Sequence, residues 1–286
     1  MRTLSEALVD AALSIPGLDA AADAIGGLIN EAYSLGGGGG KSVKNVLNGT
    51  WLGHALHPAI TDVPVGAWTA ALALDIAGQK QAARTAIGVG LAGALGAAVT
   101  GFTDWTDTHG KPRRLGVVHA TMNVTTTVLY TLSYVQRRAD ERRGFGLSVL
   151  GYAIAGVSAM YGGALSLDMQ IGVNHARGHE PPQDDVDVAA LDDVPDGGMR
   201  RVDAAGFPVL LVRRAESVRA IAAVCAHQGG PLDEGTLDGD VVTCPWHGSQ
   251  FCVTDGSIVS GPSAYPQPVF DARVAGGRIR IRLSHD

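Results

Sequence analysis

The rhythm of apolar and polar positions changes twice along this chain. Residues 3–33 mix Ala and Leu with Glu6, Asp10, Asp19, Asp23 and Glu31, a spacing that predicts one or two amphipathic helices broken near Pro16-Gly17. Helices of that kind either pack on a protein surface or dock on a membrane surface, and packing is the expectation here. The five glycines Gly36 to Gly40 read as a flexible joint. Beyond it no charge occurs between Arg84 and Asp104, between Arg114 and Arg137 or between Arg143 and Asp168. Wound as helix, each window crosses roughly 30 Å of hydrocarbon. A weaker fourth window holds Trp68 between Asp62 and Asp75. The expected spans are therefore about 58–78, 85–104, 115–136 and 144–167, and four spans return both termini to one side.

From 178 the pattern shortens. Residues 178–186 bring prolines and acidic side chains together, as a solvated linker does. After them, short runs at 208–212, 220–224, 241–243 and 278–282 are separated by Gly, Asp and Pro, which predicts a small antiparallel β domain. Arg278-Ile-Arg-Ile-Arg282 alternates as a strand with one wet and one buried face must. The expected organisation is α + β in two domains: N-terminal helices and joint at 1–44, a four-helix transmembrane bundle at 45–177, the linker at 178–186 and the β domain at 187–286.

Composition agrees with lipid. Of 286 residues 46% are hydrophobic and 17% charged, and mean hydropathy is +0.14. Residues 1–179 carry 13 basic and 12 acidic side chains, whereas 180–286 carry 9 and 16, a balance of −7. Neither half clusters the Lys and Arg that phosphate neutralisation requires, so nucleic acid is excluded as a partner. A cleavable signal is not expected, because the stretch 3–33 lacks the charged-then-apolar order. Basic residues divide six against six between the two ends of the spans, so charge alone does not orient them.

The three cysteines, Cys225, Cys244 and Cys252, all lie in the last quarter and are too few for a disulfide-stapled scaffold. Two stand with histidines: Cys225-Ala226-His227, and Cys244-Pro245-Trp246-His247 after 16 intervening residues. Two thiolates and two imidazoles suit a tetrahedral zinc ion, or a two-iron cluster in which the thiolates hold one iron and the imidazoles the other. Gly229-Gly230-Pro231-Leu232 follows the first pair and Gly248-Ser249-Gln250-Phe251 the second, with Asp255-Gly256 and Gly261-Pro262 beyond. These motifs resemble the Rieske [2Fe-2S] family over about 186–282.

That resemblance implies one [2Fe-2S] cluster bound by Cys225, His227, Cys244 and His247, loops shaped by glycines, and a covering proline loop at Gly261-Pro262. Gly230 and Trp246 stand about where high-potential members carry a cysteine pair. Ser249 matches a serine that donates a hydrogen bond towards cluster sulfur, while Phe251 replaces a tyrosine donor. The implied potential is intermediate or low within roughly −150 to +300 mV. Cys252 is expected to be a small buried filler. A ring-hydroxylating oxygenase would need a further mononuclear iron domain, and only 39 residues follow His247.

Gly53-His54-Ala55-Leu56-His57-Pro58, Asp62-Val63-Pro64, Gly101-Phe102-Thr103-Asp104-Trp105 and His119-Ala120-Thr121-Met122-Asn123 resemble the DUF2231 family of four-helical bacterial membrane domains over about 45–173. His54 or His57 with His119 suit a b-type haem or a quinone site, and Asp62, Asp75 and Asp104 a proton path. The plainer reading is that these histidines only bond backbone groups. Arg142-Arg143 resembles a twin-arginine export signal but also an ordinary helix flank.

Together these features predict a multi-pass protein of the bacterial inner membrane. It tethers a ferredoxin-like Rieske domain, slightly favoured on the cytoplasmic side because a loop disulfide is missing. It relays single electrons to or from a redox partner with a basic docking face. The alternatives are a two-centre oxidoreductase with haem b or quinone in the helical domain, and a redox-sensing membrane module.

Overall fold

A computed structural model describes residues 3–140, 142–178 and 180–284. The chain divides into two compact units, 1–40 with 56–171 and 41–55 with 172–286. Residues 41–55 and 172–178 thus belong with the β strands rather than with the helices that follow or precede them in sequence.

The first unit is helical: α1 (Leu4–Leu13), α2 (Leu18–Leu35), the start of α3 (Gly37–Asn48), α4 (Leu56–Ile76), α5 (Lys80–Trp105), α6 (Gly110–Ala139) and α7 (Phe145–Gly163). Thr3 caps α1 through a reciprocal capping box with Glu6. Left-handed Gly17 breaks the chain before α2, which leaves at 79° to α1. The apolar faces of α1 and α2 pack on the bundle: Ala12 with Leu115 and Tyr161, and Leu18 and Ala22 with Trp105 and Val117.

The glycine tract is helical, not a flexible joint. At the α2–α3 turn a Cβ on Gly36 would stand 2.9 Å from the Gly40 backbone, and one on Gly40 would overlap the Tyr33 carbonyl. Glycine is needed there for close approach of backbone, and this outweighs its poor helix propensity.

α5 receives α4 along a stripe of glycines. A Cβ on Gly90 would overlap the Trp68 indole, one on Gly93 would meet Val63 at 2.6 Å and one on Gly96 would touch Ile60 at 3.3 Å. Small residues let helix backbones close up where hydrophobic attraction gives no advantage over lipid. Trp68 then stacks on Tyr130 of α6, with ring centroids 4.2 Å apart. α4, α5 and α7 with the π-turn that extends it are long and apolar enough to cross a membrane. α6 is long but more polar than the expected span at 115–136.

In α6 the polar groups are spent internally. Thr121, Thr125, Thr127 and Thr131 each donate to the carbonyl four residues back, at 2.8–2.9 Å. Arg137, expected in a loop, is fully buried instead, and its guanidinium holds both oxygens of Asp75 at 2.8 and 2.6 Å. Asp75 also accepts from Lys80 at 3.4 Å. It is therefore an ion-pair partner rather than an open step in a proton path.

The second unit holds two antiparallel sheets. One is ordered β1 (Val186–Ala190), β10 (Arg278–Leu283), β9 (Val269–Ala275), β4 (Ser217–Ala222), β3 (Phe207–Arg214) and β2 (Met199–Ala204). The other runs β5 (Thr236–Asp238), β6 (Val241–Thr243), β7 (Gln250–Cys252) and β8 (Ile258–Ser260). β10 alternates as expected, with Ile279 and Ile281 fully buried next to exposed Arg278 and Arg280. Each such isoleucine contributes about 1.5–3 kcal/mol by leaving water. β3 is buried on both faces because it separates two cores. Val209 and Leu211 point into the larger, while Leu210 and Val212 point into one that also contains Cys225, Cys244, Val242 and Phe251.

Candidate functional site

Two loops of matching backbone geometry leave this smaller core. In the first, Cys225 N–H donates to Gly230 O at 2.8 Å and Gly229 N–H returns to Cys225 O at 2.9 Å. In the second, Cys244 N–H donates to Ser249 O at 2.8 Å and Gly248 N–H returns to Cys244 O at 3.1 Å. Both turns close through a left-handed glycine, with φ of 76° at Gly229 and 72° at Gly248, a conformation costly for any residue with a Cβ. A third turn repeats the pattern from Cys252 to left-handed Gly256. There the Cys252 thiol bonds the Asp255 carboxylate and is half-buried, not the buried filler expected.

The turns aim backbone donors at sulfur. Cys225 Sγ accepts from the N–H groups of His227 and Gln228, and Cys244 Sγ from those of Trp246 and His247. The two thiols lie side by side and share a hydrogen bond. That bond from Cys225, reinforced by the two backbone donors, brings Cys244 down to about 6, while the neighbouring sulfur and burial push Cys225 up.

The two histidines meet each other as well. His227 and His247 have ring centroids 5.0 Å apart and nearly perpendicular planes. Burial, then the His247 ring, with lesser contributions from Lys44 and His175, holds His227 down to about 3. It is thus neutral at physiological pH, the form with a lone pair for metal. Two adjacent sulfurs and two adjacent imidazoles suit a two-iron cluster in which each pair would hold one iron.

Gly230 leaves room between the loops. A Cβ there would stand 2.8 Å from Cys244 Sγ and 3.2 Å from the Trp246 ring. Gly230 and Trp246, the positions at which the resemblance would place a cysteine pair in high-potential members, thus face one another. Trp246 itself is 56% exposed. Ser249 is fully buried, and its Oγ accepts from Ser263 N–H at 3.2 Å, which joins the second loop to the Gly261-Pro262 loop.

The histidines singled out near the helices do not form one group. His54 lies in the β unit, exposed, with Nδ1 against its neighbour's carbonyl at 2.9 Å. His57 Nδ1–H donates from α4 to Ala97 O of α5 at 2.9 Å. His119 Nδ1–H donates from α6 to Ser158 O of α7 at 2.9 Å, and its Nε2 accepts from Asn123 at 3.1 Å. His57 and His119 are near enough to interact electrostatically. Gly101 and Gly162 make space for their rings. The rings of His57 and His119 each join two helices by hydrogen bonding, and His119 bonds the side chains of Asn123 and Ser158 as well as backbone. Gly229 and Gly248, named among the loop glycines in the sequence, are the left-handed residues that close the two turns. Sequence reasoning missed Asn45, which carries no local signal.

A model of the Rieske [2Fe-2S] domain matches residues 184–271, and a model of the predicted membrane proteins DUF2231 matches residues 53–175. Ferredoxin CarAc of Metapseudomonas resinovorans is 38% identical over 95 residues, 33% of this chain and 89% of that protein. The ferredoxin component of the alkene monooxygenase system of Xanthobacter autotrophicus is 39% identical over 103 residues, 35% of this chain and 84% of its own length. A cytochrome b6-f complex iron-sulfur subunit of Chlorobaculum tepidum is 26% identical over 216 residues, 72% of this chain and 96% of that subunit. With its cysteines and histidines paired on two glycine-closed loops, the chain belongs to the Rieske [2Fe-2S] family, carries a [2Fe-2S] cluster for Rieske-type electron transfer, and joins it to a DUF2231 membrane domain.

Proposed function

We propose that this chain is a membrane-tethered ferredoxin in which Cys225 and Cys244 hold one iron and His227 and His247 the other. The observation that carries the assignment is the two-and-two pairing on equivalent turns, with four backbone N–H groups already aimed at the two sulfurs. When bound, the cluster accepts one electron from a donor and passes it on, with no bond made or broken. The rest of the site organises that exchange. The apolar core excludes water from the sulfurs, and Ser249 contributes a hydroxyl that stabilises the more negative reduced state. The half-exposed His247 and exposed Trp246 offer the route to a partner.

The tether consists of α4 to α7 crossing the bacterial inner membrane, both ends on one side and the cluster domain facing the cytoplasm. α6 belongs among the spans because its hydroxyls are satisfied within the helix and Arg137 is neutralised by Asp75. The balance of −7 over 180–286 favours a partner with a basic docking face, so association weakens with salt. The ferredoxin relatives point to an oxidoreductase system as the setting.

The test is cluster content of full-length protein in detergent. Wild type should show about two irons per chain and a Rieske EPR signal. Cys244→Ser and His247→Ala should each lose it. Wild-type spectra in both variants would sink the ligand assignment.

A further inference from the structure

The polar face of α3 is turned onto the loop that covers the ligand turns. Lys41, Lys44, Asn45 and Asn48 recur at intervals of three and four and so share one face of the helix. Asn45 closes on the loop after β8 with both ends of its amide. Its Nδ2–H donates to Ser260 Oγ at 3.2 Å, and its Oδ1 accepts from Gly261 N–H at 3.2 Å. One turn further on, Asn48 is only 2% exposed, while Lys44 beside Asn45 is half-buried.

The clamped loop lies directly on the second ligand turn. A Cβ on Gly261 would stand 2.5 Å from Ser249 Cα and 2.7 Å from Gly248 O, and Ser263 N–H reaches Ser249 Oγ. From the other end of the same unit, His175 N–H donates to Ala226 O at 3.1 Å and Tyr265 Oη–H donates to Gly172 O at 2.8 Å. The His227 side of the site is therefore closed by segments outside the Rieske match at 184–271. Lys44 brings a cation to a domain that is otherwise strongly acidic. Next to Asn45 on the same helix face and half-buried, it sits beside the loop that covers the second ligand turn.

We propose that Lys44, seated by the Asn45 clamp on the 260–261 loop, is a positioning residue whose charge raises the reduction potential of the cluster. The inference rests on the ligand assignment above. Reduction adds one electron, supplied in a titration by dithionite, and no proton or covalent bond is required. The reduced state is more negative by one charge, so a nearby cation stabilises it more than the oxidised state.

The experiment is a redox titration of the full-length protein in detergent, with the cluster followed by EPR. Lys44→Gln should make reduction about threefold to tenfold less favourable, tenfold being about 59 mV for one electron. Lys44→Glu should shift the potential down by about twice as much, and Lys44→Arg should restore it. Asn45→Ala should move it in the same direction as Lys44→Gln by releasing the helix face. Raising ionic strength should shrink every shift, because the ammonium is half-exposed. Wild-type potentials in both Lys44→Gln and Lys44→Glu, with an unaltered EPR signal, would overturn the proposal. So would equal shifts in the Gln, Glu and Arg variants, which would indicate packing rather than charge. Absence of any Rieske signal from wild type would instead strike the ligand assignment, and this inference would fall with it.

Discussion

Replacing Gly230 by alanine puts a methyl group where the two ligand loops meet. The new carbon would stand 2.8 Å from Cys244 Sγ and 3.2 Å from Cγ and Cδ2 of Trp246. Relaxed contacts lie at about 3.5–4.0 Å, so sulfur and loop must part by roughly 0.7 Å or more. Trp246 is at the surface and can yield, but Cys244 is 3% exposed within the small core and cannot retreat freely. Moving Gly230 instead pulls on its carbonyl, which accepts Cys225 N–H at 2.8 Å, so the first loop is displaced with it. Overpacking of this kind costs about 1–3 kcal/mol, a fall in Tm of at least roughly 4 °C for a domain of this size. Gly230→Ala should therefore purify with substoichiometric iron and acid-labile sulfide, and melt early. Gly146→Ala is the matched control, since nothing lies within 4 Å of a Cβ there and the site is helical. It should be neutral or stabilising by up to about 1 kcal/mol. Full iron content and an unchanged melt in Gly230→Ala would refute the close approach of the two loops.

Three further outcomes follow from the same geometry. Ser249→Ala should lower the cluster potential and also destabilise the domain by about 1–3 kcal/mol, because it strands the buried Ser263 N–H, as potentiometry and thermal melts would show. Arg137→Ala should destabilise the helical unit by about 3–5 kcal/mol by leaving Asp75 charged and buried beside the more distant Lys80, and the Asp75→Ala/Arg137→Ala pair should cost less than the two single changes added. In cluster-free protein, His227 is neutral when folded down to about 3 but takes up a proton near 6.5 when unfolded. The unfolded state then binds more protons between those values. Stability should therefore fall as pH drops from about 6.5 towards 3, by at most about 1.4 kcal/mol per unit from this residue, as urea melts at stepped pH would register.

The chemistry of this protein is written locally, and so it was legible. Cysteine and histidine at Cys-x-His and Cys-x-x-His spacing, with glycine four positions after each cysteine, specify a turn and a donor set within a short stretch, whatever surrounds it. That α4, α5 and α7 are long apolar helices was legible for a similar reason, since an uncharged window and its helical length need no knowledge of neighbours, whereas α6 is helical but falls short of the apolar character expected of it. Tertiary structure decided what depended on distant partners. Composition marks Gly36 to Gly40 as a joint, but the demand for close backbone approach at Tyr33 makes it helix. Arg137 reads as a loop charge until Asp75, 62 residues away, neutralises it inside the bundle. Asn45 has no meaning in its own segment, because its partners Ser260 and Gly261 stand at the far end of the sequence. Turn chemistry and hydrophobic length are properties of short stretches of chain, whereas pairing of buried charges and closure of one loop by another exist only once the chain has folded back on itself.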